Sequence, residues 1–209
     1  MVGDVVRGLL GVVRRVVVVD DGSTDRTSAR ALEAGAVVLR HVVNRGQGAA
    51  LVTGIRHALR RGARIVVTFD ADGQHPPFKV PDLVGPIVRG EADIALGSRF
   101  LRDADAIPRA RRLLLRAALV FTHLSSGLRV TDTHNGFRAF SRRAAELLDL
   151  QMDRMAHASE IIDRVAASGL PWVEVPVRVT YTPYSAAKGQ RASGAVRVVW
   201  DYVVGRLLE

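Results

Sequence analysis

The chain has 209 residues, 48% hydrophobic and 24% charged, the makeup of one ordinary globular domain able to bury a core. It has no cysteine, which excludes disulfides, thiolate metal sites and a cysteine nucleophile. The net charge of +9 rests on arginine, since Lys79 and Lys188 are the only lysines; such a surplus attracts phosphorylated or lipid anions, although a bias toward Arg over Lys codons accounts for the same count. No nucleic-acid partner is expected, because aromatics are 5% and no basic block interleaves with stacking residues.

A helix opens the chain over 3–13. Residues 14–21 carry an unbroken β-branched run and read as a buried parallel strand. An Ala-rich helix follows over 25–34, then a strand over 36–42. Residues 47–62 form an amphipathic helix, with Leu51, Ile55, Ala58 and Leu59 at helical spacing. A third strand is expected at 64–69, a helix at 80–89 weakened by Pro81 and Pro86, and a fourth strand at 92–97. A long helix with a basic edge spans 109–125, carrying Arg111, Arg112 and Arg116. A short strand at 137–140, helices at 142–150 and 157–168, a half-exposed strand at 172–181 and an amphipathic helix at 194–208 complete the order. Repeated strand–helix units with short loops predict an α/β fold, a mostly parallel sheet covered on both faces. The apolar stretch from Leu113 to Leu128 is broken by Arg116 and His123 and is too short and polar to span a bilayer.

The chemistry concentrates at strand ends, where ligands bind in such sheets. Asp70-Ala71-Asp72-Gly73-Gln74 follows the third strand directly. In extended backbone Asp70, Asp72 and Gln74 share one side, and their oxygens suit Mg²⁺ or Mn²⁺, with diphosphate and water completing the shell. Asp103-Ala104-Asp105 has the same triplet but follows no apolar strand, so it reads as a solvated loop. Asp20 and Asp21 close the first strand, and Gly22 and Ser23 turn the chain into a helix. Such carboxylates can accept from a nucleobase or ribose; turn-making and capping explain Gly22 to Asp25 equally well. Asn44, Gly46 and Gly48 precede an amphipathic helix, where backbone can approach an anion or simply make a tight turn. Leu51 stands where a dinucleotide fingerprint needs its last glycine. Arg99 ends the fourth strand and can hold a phosphate. Asp132 can orient or deprotonate an acceptor, and Arg138 can pair with it or with phosphate; a buried Asp–Arg pair holding a turn is the alternative. His41, His57 and His123 read as structural, and no zinc spacing occurs.

Taken in order, VVVVDDGSTDRT, NRGQGAAL, FDADGQHPP, GSRF and DTHNGFRAF resemble the inverting family 2 glycosyltransferases, and above all the dolichyl-phosphate mannose synthase-like and polyprenyl-phosphate hexosyltransferase branch. The resemblance runs from about residue 3 to residue 191. It implies a GT-A fold, a nucleotide-diphosphate sugar donor, a divalent metal on Asp70 and Asp72 with Gln74 as a further ligand, and nucleoside contacts at Asp21 with Asp20. It also implies an acceptor-phosphate arginine at Arg99, an acid near the acceptor at Asp132, another acid near the site at Glu160, and phosphate contacts from Lys188 and Arg191 in a loop over 181–191. Asp132, Arg99 and Asp72 are the expected catalytic residues. Leu115 and Leu119 depart from the Ser and Asn of the mannose synthases, which leaves a polyprenyl phosphate and a glycan or other hydroxyl both open as acceptor.

Family members begin with a strand that this chain lacks before its opening helix. The expectation is a gap in the sheet with unpaired backbone groups on both neighbours, from a start codon placed too late. One domain is expected: a donor half over 1–98, an acceptor half over 99–193 and a C-terminal helix. The protein is expected at the inner face of the cell membrane, held peripherally by its own surface or by a membrane partner protein. Two rival functions remain: a non-catalytic sugar-nucleotide-binding remnant, and another nucleotide-using enzyme such as a nucleotidyltransferase.

Overall fold

A computed structural model describes residues 1–101, 127–133, 135–148, 150 and 157–179. The helices expected at 109–125 and 194–208, the loop with Lys188 and Arg191, the Asp103–Asp105 triplet and His134 lie outside these residues. Helix α1 (Val2–Leu10) packs Val5, Val6 and Leu9 inward. Strand β1 (Val17–Asp20), helix α2 (Thr27–Glu33) and strand β2 (Val37–Arg40) follow. Then come α3 (Gln47–Arg60), β3 (Ile65–Thr68), a short 3-10 turn at Pro77–Lys79, and α4 (Val80–Val88). The order ends with β4 (Ile94–Ser98), β5 (Arg138–Ser141), α5 (Arg142–Leu147), α6 (His157–Ser168) and β6 (Trp172–Pro176). Helix α4 forms despite its prolines: Pro81 sits in the first turn, where no backbone donor is needed, and only Pro86 forfeits an internal bond.

The strands divide into two sheets, β1-β2 and β3-β5-β4-β6. β1 pairs parallel with β2, and β4 pairs parallel with β6. β5 runs antiparallel between β3 and β4, so the larger sheet is mixed where the sequence predicted mostly parallel pairing. The segment ending at Phe137 already lies at the carboxyl end of β4, where the Gly97 N–H donates to the Phe137 carbonyl. A strand entering from that end has to run backwards.

No described strand pairs with the second edge of β1 or of β3. Val16 and Asp20 accept bonds from β2, so by alternation Val17 and Val19 turn their amides and carbonyls to the open side. Arg64 accepts from Arg142 beside β5, which leaves Ile65 and Val67 facing outward from β3 in the same way. Among the described strands these two edges leave a gap between the sheets. Packing bridges it: α3 touches both strands, and one core cluster joins Val5, Val6 and Leu9 to Val18, Val38, Val67 and Phe69. An apolar cleft of about 460 Å³ lies beside the open edge of β3, between Val12, Val13, Ile65, Val67, Val80 and Val84. It contains no acidic residue, so it is not the polar site.

Candidate active site

The polar site lies where β1, β3 and β4 end and β5 begins. Asp70 follows β3, and its carboxylate packs against the Cα of Gly136; a Cβ there would stand 2.8 Å from the Asp70 Cγ. The Thr68 hydroxyl donates to the Gly136 carbonyl at 2.7 Å and fastens the two segments. Gln47, at the start of α3, donates its side-chain amide to Asp70 Oδ1 at 3.1 Å. The sequence suggested an extended Asp-x-Asp segment, but a turn brings the acids together. Gly73 has φ +73°, and Asp72 Oδ1 accepts from the Gln74 N–H at 2.9 Å.

Burial, and then the negative charge of Asp72, raise the Asp70 carboxyl above its ordinary range, against the pull of Arg138 and Arg99. A buried acid whose proton affinity is raised further by a neighbouring carboxylate marks a place short of positive charge, and a divalent cation fits it. Among the described residues no three His, Cys, Asp or Glu side chains gather for a metal.

Arg99 and Asp132 form a buried bidentate pair, Nε to Oδ2 at 2.6 Å and Nη2 to Oδ1 at 2.7 Å. The Arg99 backbone N–H also donates to Oδ2 at 3.1 Å. Arg138 donates to the Thr133 carbonyl at 2.8 Å. Burial lowers its pKa to about 10 against the opposing charges of Asp70 and Asp132. Asp132 thus pairs with Arg99, and its charge also acts on Arg138, the arginine the sequence put forward as a partner for it or for phosphate. His75 packs between Phe69 and Phe137, at centroid distances of 6.0 and 5.0 Å. Burial drives its pKa down to about 4, so the ring is neutral.

The strand-tip acids are already engaged. Asp20 is buried and accepts from the Ser23 N–H at 2.8 Å and from the Ser28 hydroxyl. Asp21 accepts from the Arg45 and Gly46 amides at 2.9 and 2.7 Å, and its Oδ1 lies 2.7 Å from His41 Nδ1. The Asn44 side chain donates to the Asp21 carbonyl at 2.9 Å. Asp21 thus ties down the loop just before α3, at Arg45 and the N-cap Gly46. Burial works against the Asp21 carboxylate, but bonds from Arg45, His41 and Gly46 outweigh it and hold the group below its usual range. Gly22 has φ +78°, and a Cβ there would stand 2.9 Å from the Asn44 amide, so the turn requires glycine. Gly48 is buried in the first turn of α3, and Glu160 is buried in α6.

Paired acids at a strand end beside a buried Arg–Asp pair suit a metal-bound phosphorylated ligand at the carboxyl end of an α/β sheet. The profile of Glycosyl transferase family 2 matches residues 4–148, and the chain belongs to that family. It is 38% identical over 198 residues to an uncharacterized protein of Methanocaldococcus jannaschii, covering 93% of this chain and 82% of that one. It is 32% identical over 195 residues to the UDP-N-acetylglucosamine–dolichyl-phosphate N-acetylglucosaminyltransferase of Methanococcus voltae, covering 83% and 78%. Among solved structures it resembles glucosyl-3-phosphoglycerate synthase from Mycobacterium tuberculosis in complex with UDP, with a TM-score of 0.70, 24% identity and coverage of 97% and 74%. The complex of that synthase with Mn²⁺ and UDP-glucose superposes with a TM-score of 0.65 at 25% identity, covering 98% and 73%.

Sequence reasoning passed over Gln47, Thr68, Thr131 and Glu174, which touch or brace the site. Gln47 stood inside a quoted motif but carries no charge to single it out.

Proposed function

We propose that this chain transfers a hexose from a nucleotide-diphosphate sugar to a polyprenyl phosphate, with inversion, at the inner face of a membrane to which it binds peripherally. Asp70 and Asp72 would hold Mg²⁺ or Mn²⁺, with Gln74 nearby in the same turn. When bound, the ion neutralises charge on the departing diphosphate. The 1–98 half would bind the donor, with Asp20, Asp21, Gly22, Ser23, Asn44, Gly46 and Gly48 shaping its wall, and the 99–193 half would bind the acceptor.

The observation that carries the acceptor class is the Arg99–Asp132 pair. A carboxylate with both oxygens spent on a guanidinium is a poor proton acceptor. A phosphate acceptor is already anionic and needs no base, so Asp132 would serve by aiming Arg99 at it. Names of relatives support this reading: a polyprenol monophosphomannose synthase of Mycolicibacterium smegmatis is 32% identical over 184 residues. A hydroxyl acceptor is the second reading. It is favoured by the likeness to the synthase solved with phosphoglyceric acid, and it requires Asp132 to release Arg99.

The test is transfer of labelled sugar from a panel of nucleotide-diphosphate sugars, with Mn²⁺, into organic-extractable product in micelles containing polyprenyl phosphate. Label in the organic phase from one donor supports the proposal. Label appearing only on a soluble hydroxyl acceptor would replace it with the second reading.

A further inference from the structure

We propose that Glu174 is a positioning residue that sets the Arg99–Asp132 pair through Thr131 and Ser98. Glu174 lies on β6 directly opposite Leu96 of β4. Opposite residues share a face of the sheet, and so do residues two apart on one strand. Glu174 and Ser98 therefore stand on the same side. One carboxylate oxygen of Glu174, Oε1, accepts both the Thr131 N–H and the Thr131 hydroxyl, each at 2.8 Å. Thr131 Oγ1 is also 2.6 Å from Ser98 Oγ, and Ser98 is wholly buried.

The direction of this chain follows from donor chemistry. The Thr131 proton goes to Glu174, so Ser98 donates to Thr131, and Ser98 accepts from the Phe100 N–H at 3.3 Å. A single carboxylate thus polarises a line of bonds that pins Ser98 and Thr131. These are the immediate chain neighbours of Arg99 and Asp132. The two ends of the ion pair come from separate segments, and Glu174 fixes one against the other.

This inference rests on the proposed role of the pair in handling the acceptor. The experiment measures kcat/KM for polyprenyl phosphate, and Mn²⁺-dependent affinity for the donor that the unmodified protein turns over. Glu174→Ala is expected to lower acceptor kcat/KM about tenfold through misplacement of Arg99, with donor affinity unchanged. Glu174→Gln, whose amide oxygen still accepts both bonds, is expected to retain most of the activity. In an Asp132→Asn background Glu174→Ala is expected to cost nothing further, because it acts through that residue. If Glu174→Ala folds poorly, Thr131→Val replaces it, keeping the N–H bond and removing the hydroxyl link. Losses that add in the double variant, or a parallel loss of donor affinity, would overturn the inference. An Asp132→Asn protein with unchanged acceptor kinetics would overturn the underlying reading of the pair, and the inference with it.

Discussion

Asp70 and Gly136 touch so closely that the glycine has no room for a side chain: a Cβ at 136 would overlap the Asp70 carboxylate. The acid proposed to hold the metal is therefore seated by an absence of atoms on another strand's approach. Gly136→Ala is expected to push Asp70 aside and weaken Mn²⁺-dependent nucleotide binding by tenfold or more, while the far-ultraviolet circular dichroism stays that of the unmodified protein. Isothermal titration with Mn²⁺ present checks this; unchanged affinity would mean that Asp70 can move without consequence.

Asp70 also sets a trade between stability and function. Its carboxyl pKa is raised, so the folded protein holds that proton more tightly than the unfolded chain. Metal-free stability should therefore fall as pH rises from the ordinary carboxylate range through the raised value. Asp70→Asn is expected to flatten that slope and raise the melting temperature of the metal-free protein at neutral pH. It should also abolish the Mn²⁺-dependent stabilisation by nucleotide, which at 100 times Kd is worth about 2.7 kcal/mol in a competent site. Melting curves across pH, with and without Mn²⁺ and nucleotide, test both halves.

Asp21 has the opposite sign. Its pKa is lowered by the bonds from Arg45, His41 and Gly46, despite burial. Its contribution is present above the ordinary carboxylate pKa and is lost as pH falls through the lowered folded value. Asp21→Asn is expected to cost about 1.5–3 kcal/mol at pH 7. The difference from the unmodified protein should close in acid. Denaturant titrations at neutral and acid pH measure it, and a pH-independent difference would refute the assignment.

Asp132→Asn separates the acceptor classes. With a phosphate acceptor the loss in kcat/KM is expected to be about tenfold, because the variant only misaims Arg99. With a hydroxyl acceptor a missing base costs about 10²–10⁴-fold. Leaving Arg99 short of its partner should also cost stability, about 3 kcal/mol for a buried pair broken on one side. Steady-state kinetics and denaturant melts on the same preparation read both effects.

What the sequence disclosed and what it withheld divide along a physical line. The position of Asp70 and Asp72 was legible because they follow an apolar strand, and the first three strands announce themselves through β-branched runs. The direction of β5 was not legible: a four-residue strand has no polarity in its pattern. The tie between Asp21 and the start of α3 was hidden because two of its partners are backbone amides, which every residue but proline has. Glu174 looked like the solvent face of an alternating strand, and only the fold brings Thr131 to it. The Arg99–Asp132 contact was hidden because two arginines, 99 and 138, competed for one acid, and sequence does not measure distance.

The facing edges of β1 and β3, which no described strand pairs, give the molecule a mechanical seam. Backbone hydrogen bonds hold β1 to β2 and hold β3, β5, β4 and β6 together, but among the described residues none crosses from one set to the other. Cohesion across the seam is side-chain packing from α1 and α3, which weakens on cooling in a way that a hydrogen-bonded ladder does not. Amides of Val17, Val19, Ile65 and Val67 should therefore exchange with solvent long before those of β5, which is paired on both sides. The β1–β2 unit, with α2, is expected to open first and to take with it the strand-tip acids Asp20 and Asp21.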